Sequence, residues 1–381
     1  MDISHLKVGL VSFHSFQKPG GVKNHILGLA QELRKRGVQV KIIVPRRSRS
    51  ENYGKDVLLL GTSFPMAFNE SQGDFVVNFN PFAIRRVLNR EKFDILHLHN
   101  FGFPSAFEIL ASSKATNILT FHSNLEKSKF LQNFPSFLSI FKKIVNWRVH
   151  GVIGVSPLIM ELFKTYSKPK RVIPNGIDLA AFQGIAQMAQ FKDGKINILF
   201  VGRLEKRKGL MYLLRAYESL QKKHSNLRLL IAGEGELKEE CLAFANTHRL
   251  REVHFLGAPS DADLKRIYKS ADIFCSPALH GESFGVVLLE AMASRLPIVA
   301  FGNKGYSQFF KGKRGAELLA PPRDVAQLAL KLESLIQNEP LRKEMADWGF
   351  QEVQQYSWES VGSQILAFYQ EILEQRKGLT K

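Results

Sequence analysis

Short apolar runs and amphipathic stretches alternate along the first half of this chain. Residues 7–13 are apolar, Gly20-Gly21-Val22 turns the chain, and residues 23–36 set Ile26, Leu29, Ala30 and Leu33 on one helical face before Gly37 closes the helix. Further apolar runs follow at 38–44, 93–98, 117–121 and 151–155. Strands this short and this uniformly apolar, separated by helices, belong to a parallel sheet covered on both faces. The pattern restarts after the breaker cluster Pro174-Asn175-Gly176. Strands are expected at 196–201, 227–232, 253–256, 273–276 and 297–300, with helices at 210–222, 236–247, 261–270 and 285–294. The same α/β architecture twice over predicts two doubly wound domains with a hinge near residues 175–195. Ligands of such sheets bind beyond the carboxyl ends of the strands, which here would face an interdomain cleft. An amphipathic helix at 359–375 has no strand after it and is free to pack back on the first domain.

Composition narrows the class. At 381 residues, 45% apolar, the chain is long enough for two real cores. Cys241 and Cys275 lie far apart with no metal-ligand spacing, so neither a disulfide framework nor a zinc site is indicated and a reducing cytoplasm fits. The first apolar run lacks the features of a signal peptide, and no run approaches the ~20 apolar residues of a spanning helix, so a soluble or peripheral membrane protein is expected. Lys+Arg number 53 against 35 Asp+Glu, and the net charge of +18 implies an anionic partner: nucleic acid, an anionic membrane or a phosphorylated substrate. No RNA-recognition, KH or helix-turn-helix signature accompanies that charge.

The segment Gly281-Glu282-Ser283-Phe284-Gly285-Val286, followed by Glu290, carries the strongest chemical signal. It sets two carboxylates across a loop-to-helix junction, about 10 Å apart if residues 285–290 are helical. One carboxylate can reach sugar hydroxyls and the other a ribose, with the free N–H groups of Phe284, Gly285 and Val286 aimed at an anion between them. Arg203 and Lys208, in the turn after the strand at 196–201, supply a fork and a point charge suited to a diphosphate. Gly20 and Gly21 permit close backbone approach to a phosphate or sugar. His122 lies just past the strand at 117–121, placed to hydrogen-bond a sugar hydroxyl or shuttle a proton. His97 and His99 form an H-x-H pair without an evident third metal ligand; one is expected to be buried and the other to line the cleft. Two basic, aromatic stretches, 81–92 with Phe82, Ile84, Val87 and Leu88, and 127–148 with Phe137, Phe141, Ile144 and Val145, either cover the sheet or face a membrane.

Together with Asp94-Ile-Leu-His-Leu-His99, Thr120-Phe-His122, Val155-Ser-Pro157, Ile173-Pro-Asn-Gly-Ile-Asp178, Val201-Gly-Arg203 with Lys208-Gly209, and Ala232-Gly-Glu-Gly235, these motifs span nearly the whole chain. In order and content the chain resembles family 4 retaining glycosyltransferases, most of all bacterial phosphatidylinositol alpha-mannosyltransferases. The resemblance implies a GT-B fold: two Rossmann-like doubly wound parallel-sheet domains facing across a cleft. Residues 1–175, completed by a C-terminal helix at 359–381, would form the acceptor side, and 176–358 would bind the nucleotide sugar. It further implies a donor such as GDP-mannose or a UDP-hexose, a lipid or glycan acceptor, an anionic membrane surface on the cytoplasmic side, and no essential divalent metal or nucleic acid. Glu282 would touch the donor sugar, Glu290 the ribose, Arg203 and Lys208 the diphosphate, Gly21 the diphosphate from the other domain, and His122 the reacting sugar. Where many members carry Gly-Gly-x-x-Glu, this chain has Gly302-Asn-Lys-Gly-Tyr-Ser307, so an extra donor contact there is not expected to carry over. A non-hydrolysing nucleotide-sugar epimerase of the same fold and a basic nucleic-acid-binding protein are the alternatives; the latter would bind with a steep salt slope.

Overall fold

A computed structural model describes residues 5–17, 20–48, 50–68, 71–78, 80–102, 104–124 and 135–379. The chain folds as two compact units, 1–176 with 356–381, and 177–355.

The first unit holds an eight-stranded sheet in the order β4-β3-β2-β1-β5-β6-β7-β8. Its strands are β1 (Lys7–Ser12), β2 (Gln39–Arg46), β3 (Val57–Phe68), β4 (Ser71–Val77), β5 (Ile95–His99), β6 (Thr116–Phe121), β7 (Gly151–Gly154) and β8 (Lys170–Val172). All neighbours run parallel except β3 and β4, which form an antiparallel edge hairpin. The β2–β3 register shifts between Val44 and Arg46, around Pro45, which has no N–H to give a ladder. Every residue of β5 and β6 is buried, as a sheet covered on both faces demands. Helix Gly21–Lys35 buries Ile26, Leu29, Ala30 and Leu33, the predicted stripe. Helix Trp358–Leu379 puts Val361, Ile365, Phe368, Tyr369 and Ile372 into the same core.

The second unit has β9 (Ile196–Val201), β10 (Leu227–Ala232), β11 (Val253–Phe255), β12 (Ile273–Ser276), β13 (Ile298–Phe301) and β14 (Leu319–Ala320). Their order, β11-β10-β9-β12-β13-β14, is all parallel and is the doubly wound Rossmann arrangement. The crossover helices include Leu210–Lys223, Lys238–Thr247, Asp261–Lys269 and Val286–Ala293. Both units therefore have a point where strand order reverses, between β1 and β5 in the first and between β9 and β12 in the second. There the crossovers leave to opposite sides and open a crevice at the carboxyl ends of the strands.

The sequence patterning misplaces some edges. Gly20 and Gly21 open their helix but do not end β1, which stops at Ser12. The β3–β4 hairpin and the helices Ser105–Ser112, Lys304–Phe310, Val325–Gln337 and Glu339–Val353 are additions.

Candidate active site

The crevice of the second unit brings together the loops after β9 and β12. After Val201 the chain turns through Lys206–Lys208 and reaches Gly209, whose φ of +74° is left-handed. A β-carbon there would also run into the carbonyl of Pro277, so only glycine lets the two loops touch. The Leu279 N–H, donating to the Arg207 carbonyl at 2.8 Å, pins them together.

This clamp aims Lys208 at Glu282. The Lys208 Nζ lies 2.7 Å from Glu282 Oε1, and Arg207 Nη1 reaches the same oxygen at 3.3 Å. Glu205 stands behind them, accepting from Arg207 Nε at 3.0 Å and pairing with Arg203 Nη1 at 2.7 Å. Burial alone would push the Glu282 carboxyl up, but Lys208 and Arg207 outweigh it and hold the group below its ordinary value. Three cations against two carboxylates leave the cluster one charge positive, a setting that welcomes a phosphate.

Glu290 is different. It sits one turn inside helix Val286–Ala293 and accepts a 2.8 Å hydrogen bond from the buried Tyr268 hydroxyl. Burial, only partly offset by that bond, raises its pKa to about 7. The helix itself opens at Gly285, in the left-handed region at φ +92°, with no side-chain cap and no acidic residue in its first turn. Its leading N–H groups are thus offered to an anion. Ser283 is half-buried and Phe284 is buried edge-on against Phe309. The departing segment 302–307 packs here too: a β-carbon at Gly305 would strike the Glu282 carbonyl, and Tyr306 hydrogen-bonds Ser276 across 2.9 Å.

At the first unit's crevice, histidines pack against one another, with only His122 part-exposed. His97 and His99 point to one face of β5, and both are fully buried, which corrects the expectation that one would line a cleft. His97 bonds Tyr369 Oη and Thr120 Oγ1, each at 2.6 Å. His99 Nδ1 meets His122 Nε2 at 3.2 Å. His25, from helix Gly21–Lys35, packs edge-on against His122 with ring centroids 4.7 Å apart. The backbone N–H of His122 donates to Asn100 Oδ1 at 2.7 Å, and Asn100 holds φ +64° to make that bond. Burial, then the neighbouring rings, pushes His25 and His97 down to about 3 and His99 and His122 well below the ordinary imidazole range. All four are neutral near pH 7, so His122 offers a hydrogen-bonding imidazole and not a charged acid. Nitrogens of His25, His99 and His122 fall within 4.8 Å of one another, a trio that takes His99 from the H-x-H pair and leaves out His97. The ligands of a tetrahedral zinc stand about 3.3 Å apart, so an ion would require these rings to shift.

Arg207, Glu205, Tyr268, Tyr306 and His25 are the side chains that sequence reasoning missed. The basic run 206–208 signalled Arg207 without saying which of its residues turns inward. Gly20 and Gly21 are exposed at the start of the helix that carries His25.

The apolar residues named in the two basic stretches mostly face inward. Ile84, Leu88, Phe141, Ile144 and Val145 are buried, because the apolar stripe of each helix covers the sheet. The exposed apolar residues of the two stretches are Phe82, named from the sequence, and Ile140 and Trp147, which were not. The part of the second stretch at 127–134 lies outside the described residues.

Residues 19–181 match the family described as Glycosyltransferase Family 4, and residues 184–351 match Glycosyl transferases group 1. The chain is 32% identical over 373 residues to the phosphatidyl-myo-inositol mannosyltransferase of Mycobacterium leprae, covering 96% of this chain and 97% of that one. Among solved structures it is similar to sucrose-phosphate synthase from Thermosynechococcus elongatus, with TM-score 0.79, 18% identity, and 97% and 100% of the two chains covered. It is also similar to HepE from Anabaena, solved with UDP and glucose, with TM-score 0.73, 18% identity, and 96% and 100% covered.

Proposed function

Because this chain belongs to the family 4 glycosyltransferases, enzymes of the two-domain GT-B fold, we propose that it moves a hexosyl group, mannose or glucose, from a nucleoside-diphosphate sugar to phosphatidylinositol. That it is a glycosyltransferase using a nucleotide sugar follows from the family; the sugar, the acceptor and the residue roles are our reading. The observation that carries the reading is the Lys208–Glu282 pair with Arg207, set at the strand-order reversal of the second sheet.

In this reading Arg203, Lys208 and the N–H groups at 284–286 hold the diphosphate and stabilise the charge that develops on it as the glycosidic bond breaks. Glu282, kept ionised and fixed by its two cations, accepts hydrogen bonds from the donor sugar. Glu290 accepts from the ribose. Neutral His122 bonds the transferred sugar, and the acceptor hydroxyl attacks from the face the nucleotide leaves, passing its proton to the departing phosphate oxygen and retaining configuration. No step uses a metal, so transfer should proceed undiminished in EDTA. If EDTA abolishes transfer and zinc restores it, the three histidines become the place to look for the ion.

Among the described residues no helix is long and apolar enough to cross a membrane. Phe82, 75% exposed, and Trp147, 62% exposed, lie on helices that also carry exposed Arg85, Arg86 and Lys143. These support peripheral docking on the anionic inner face of a membrane. The direct test is radiolabelled transfer from GDP-mannose and UDP-glucose to membrane lipids. Transfer to phosphatidylinositol is expected; release of free sugar or an epimer without any acceptor would point to the epimerase instead. Co-sedimentation should require anionic vesicles and fall as salt shortens the screening length from about 10 Å at 0.1 M to about 3 Å at 1 M.

A further inference from the structure

At the amino ends of β6 and β7, the opposite end of the first sheet from His99 and His122, lies a cleft of about 600 Å³. Four cations, Arg85, Lys114, Arg148 and Arg376, line it together with His150, and among the described lining residues there is no carboxylate. Arg148 is fixed by three carbonyls, donating to Leu110 and Ser113 at 2.8 Å and to Ala111 at 3.2 Å, which caps helix Ser105–Ser112. Arg376 donates to Thr116 Oγ1 at 2.8 Å. Arg85 and Lys114 form no ion pair among the described residues and are exposed. His150 Nδ1 accepts the Asn117 N–H at 2.9 Å, so the neutral ring carries its proton on Nε2 and is a donor there. Burial first, then Arg376, Lys168 and Arg148, pushes that histidine down to about 4, which keeps it neutral and leaves the cleft's field to any anion that enters.

We propose that this cleft is a second anion site, separate from the donor grip, that takes the phosphate of an anionic phospholipid headgroup. Two observations choose a lipid over a free phosphate. The volume lies in the range of small-molecule pockets of about 300–1,000 Å³, far more than a bare phosphate fills. Two of the lining cations also neighbour exposed aromatic rings: the Arg148 guanidinium lies 5.1 Å over the Trp147 ring, and Phe82 precedes Arg85 by one helical turn. A cationic pocket on helices that also expose a tryptophan and a phenylalanine matches a headgroup whose acyl chains stay in the bilayer. The site rests on the membrane reading above, and it would hold a lipid at the end of the sheet away from the reacting sugar.

The test uses the full chain with UDP in excess, so that the second unit's phosphate grip is filled. Calorimetry with monomeric dihexanoyl phosphatidylglycerol should show saturable one-to-one binding. The Arg85→Gln/Lys114→Gln pair should weaken it about tenfold or more, the loss of one charge-assisted hydrogen bond. The pair Lys35→Gln/Lys55→Gln, equal in charge and exposed elsewhere on the first unit, should leave it unchanged. UDP affinity and far-ultraviolet dichroism report that both double variants fold. Absence of saturable binding by the wild type, or equal losses in the two pairs, overturns the site. Inorganic phosphate binding as tightly as the lipid, with no displacement by phosphatidylglycerol vesicles, overturns the lipid assignment. If the wild type ignores anionic vesicles altogether, the membrane reading fails first; if it binds them but the pairs behave alike, only this cleft fails.

Discussion

The two sheets open their crevices at equivalent places and fill them with opposite electrostatics. The first unit packs four neutral imidazoles, each held uncharged by burial and by its neighbours. The second packs fixed charge, Glu282 between Lys208 and Arg207, with the titratable Glu290 eight residues on, one turn inside its helix. One topology supplies only the crevice; the residues on its loops decide whether it presents hydrogen bonds without charge or a charged grip. In the proposed reading the second kind suits the donor's diphosphate, and the first suits a reacting sugar with no formal charge.

This contrast should show most strongly in acid. The folded-state values of His25 and His97, about 3, lie below the ordinary 6.5, so their contribution to stability is complete above pH 6.5 and is lost as pH falls towards 3. Each such histidine contributes up to about 1.4 kcal/mol per pH unit within that window. The first unit should therefore unfold well before the second as pH drops below 6. Trp358, with its ring 5.1 Å from His25, reports the first unit, and Trp348 reports the second. Single-tryptophan variants that melt together at pH 5 would show that the stack is not the weak point.

Next in size, Glu282→Gln should lower turnover by about 10²–10³-fold, the usual loss for a fixed group aimed at the transition state, with little change in nucleoside-diphosphate affinity. Its cations remain to grip phosphate. A large loss of nucleotide affinity with turnover intact would exchange the roles of Glu282 and Glu290. Arg203→Ala and Lys208→Ala should each weaken nucleoside-diphosphate binding by about 1.5–3 kcal/mol in calorimetry. Wild-type affinity in both would move the diphosphate elsewhere.

Legibility in the sequence follows the same division. β9, β10 and β12 fall at their expected limits because each is a buried apolar run between polar loops, which a parallel sheet requires. The β3–β4 hairpin was hidden because Gly61, Pro65 and Gly73 interrupt its apolar alternation. In the second unit, motif residues after β9 and β12 meet because those strands are neighbours, and the motif spacing already implied two loops on one crevice. What stayed hidden was that Arg207 turns inward beside Lys208, a matter of one turn of backbone before Gly209. In the first unit, His25, His99 and His122 are far apart in the chain. They meet only because β1, β5 and β6 lie side by side and the helix after β1 crosses above them, so no local pattern announces the stack.

The smallest expected effect, and the sharpest contrast with the histidines, belongs to Glu290. Its folded-state value of about 7 lies above the ordinary 4.5, so its contribution to stability is complete below pH 4.5 and is lost as pH rises through 7. Acid thus relieves the second crevice where it loads the first. Glu290→Gln should raise the melting temperature at pH 8 by about 2–4 °C, the shift of about 1 kcal/mol in a domain of this size, and the gain should shrink towards pH 5. The ionised carboxylate is also the form that accepts ribose hydroxyls. Nucleoside-diphosphate affinity should therefore rise several-fold between pH 6 and 8 in the wild type, beyond the change in Glu290→Gln, whose profile isolates the ionisation of the nucleotide's own phosphates. Parallel profiles in the two proteins would remove Glu290 from the ribose, and a stability gain at pH 8 without that divergence would leave it a half-buried acid held by Tyr268 alone.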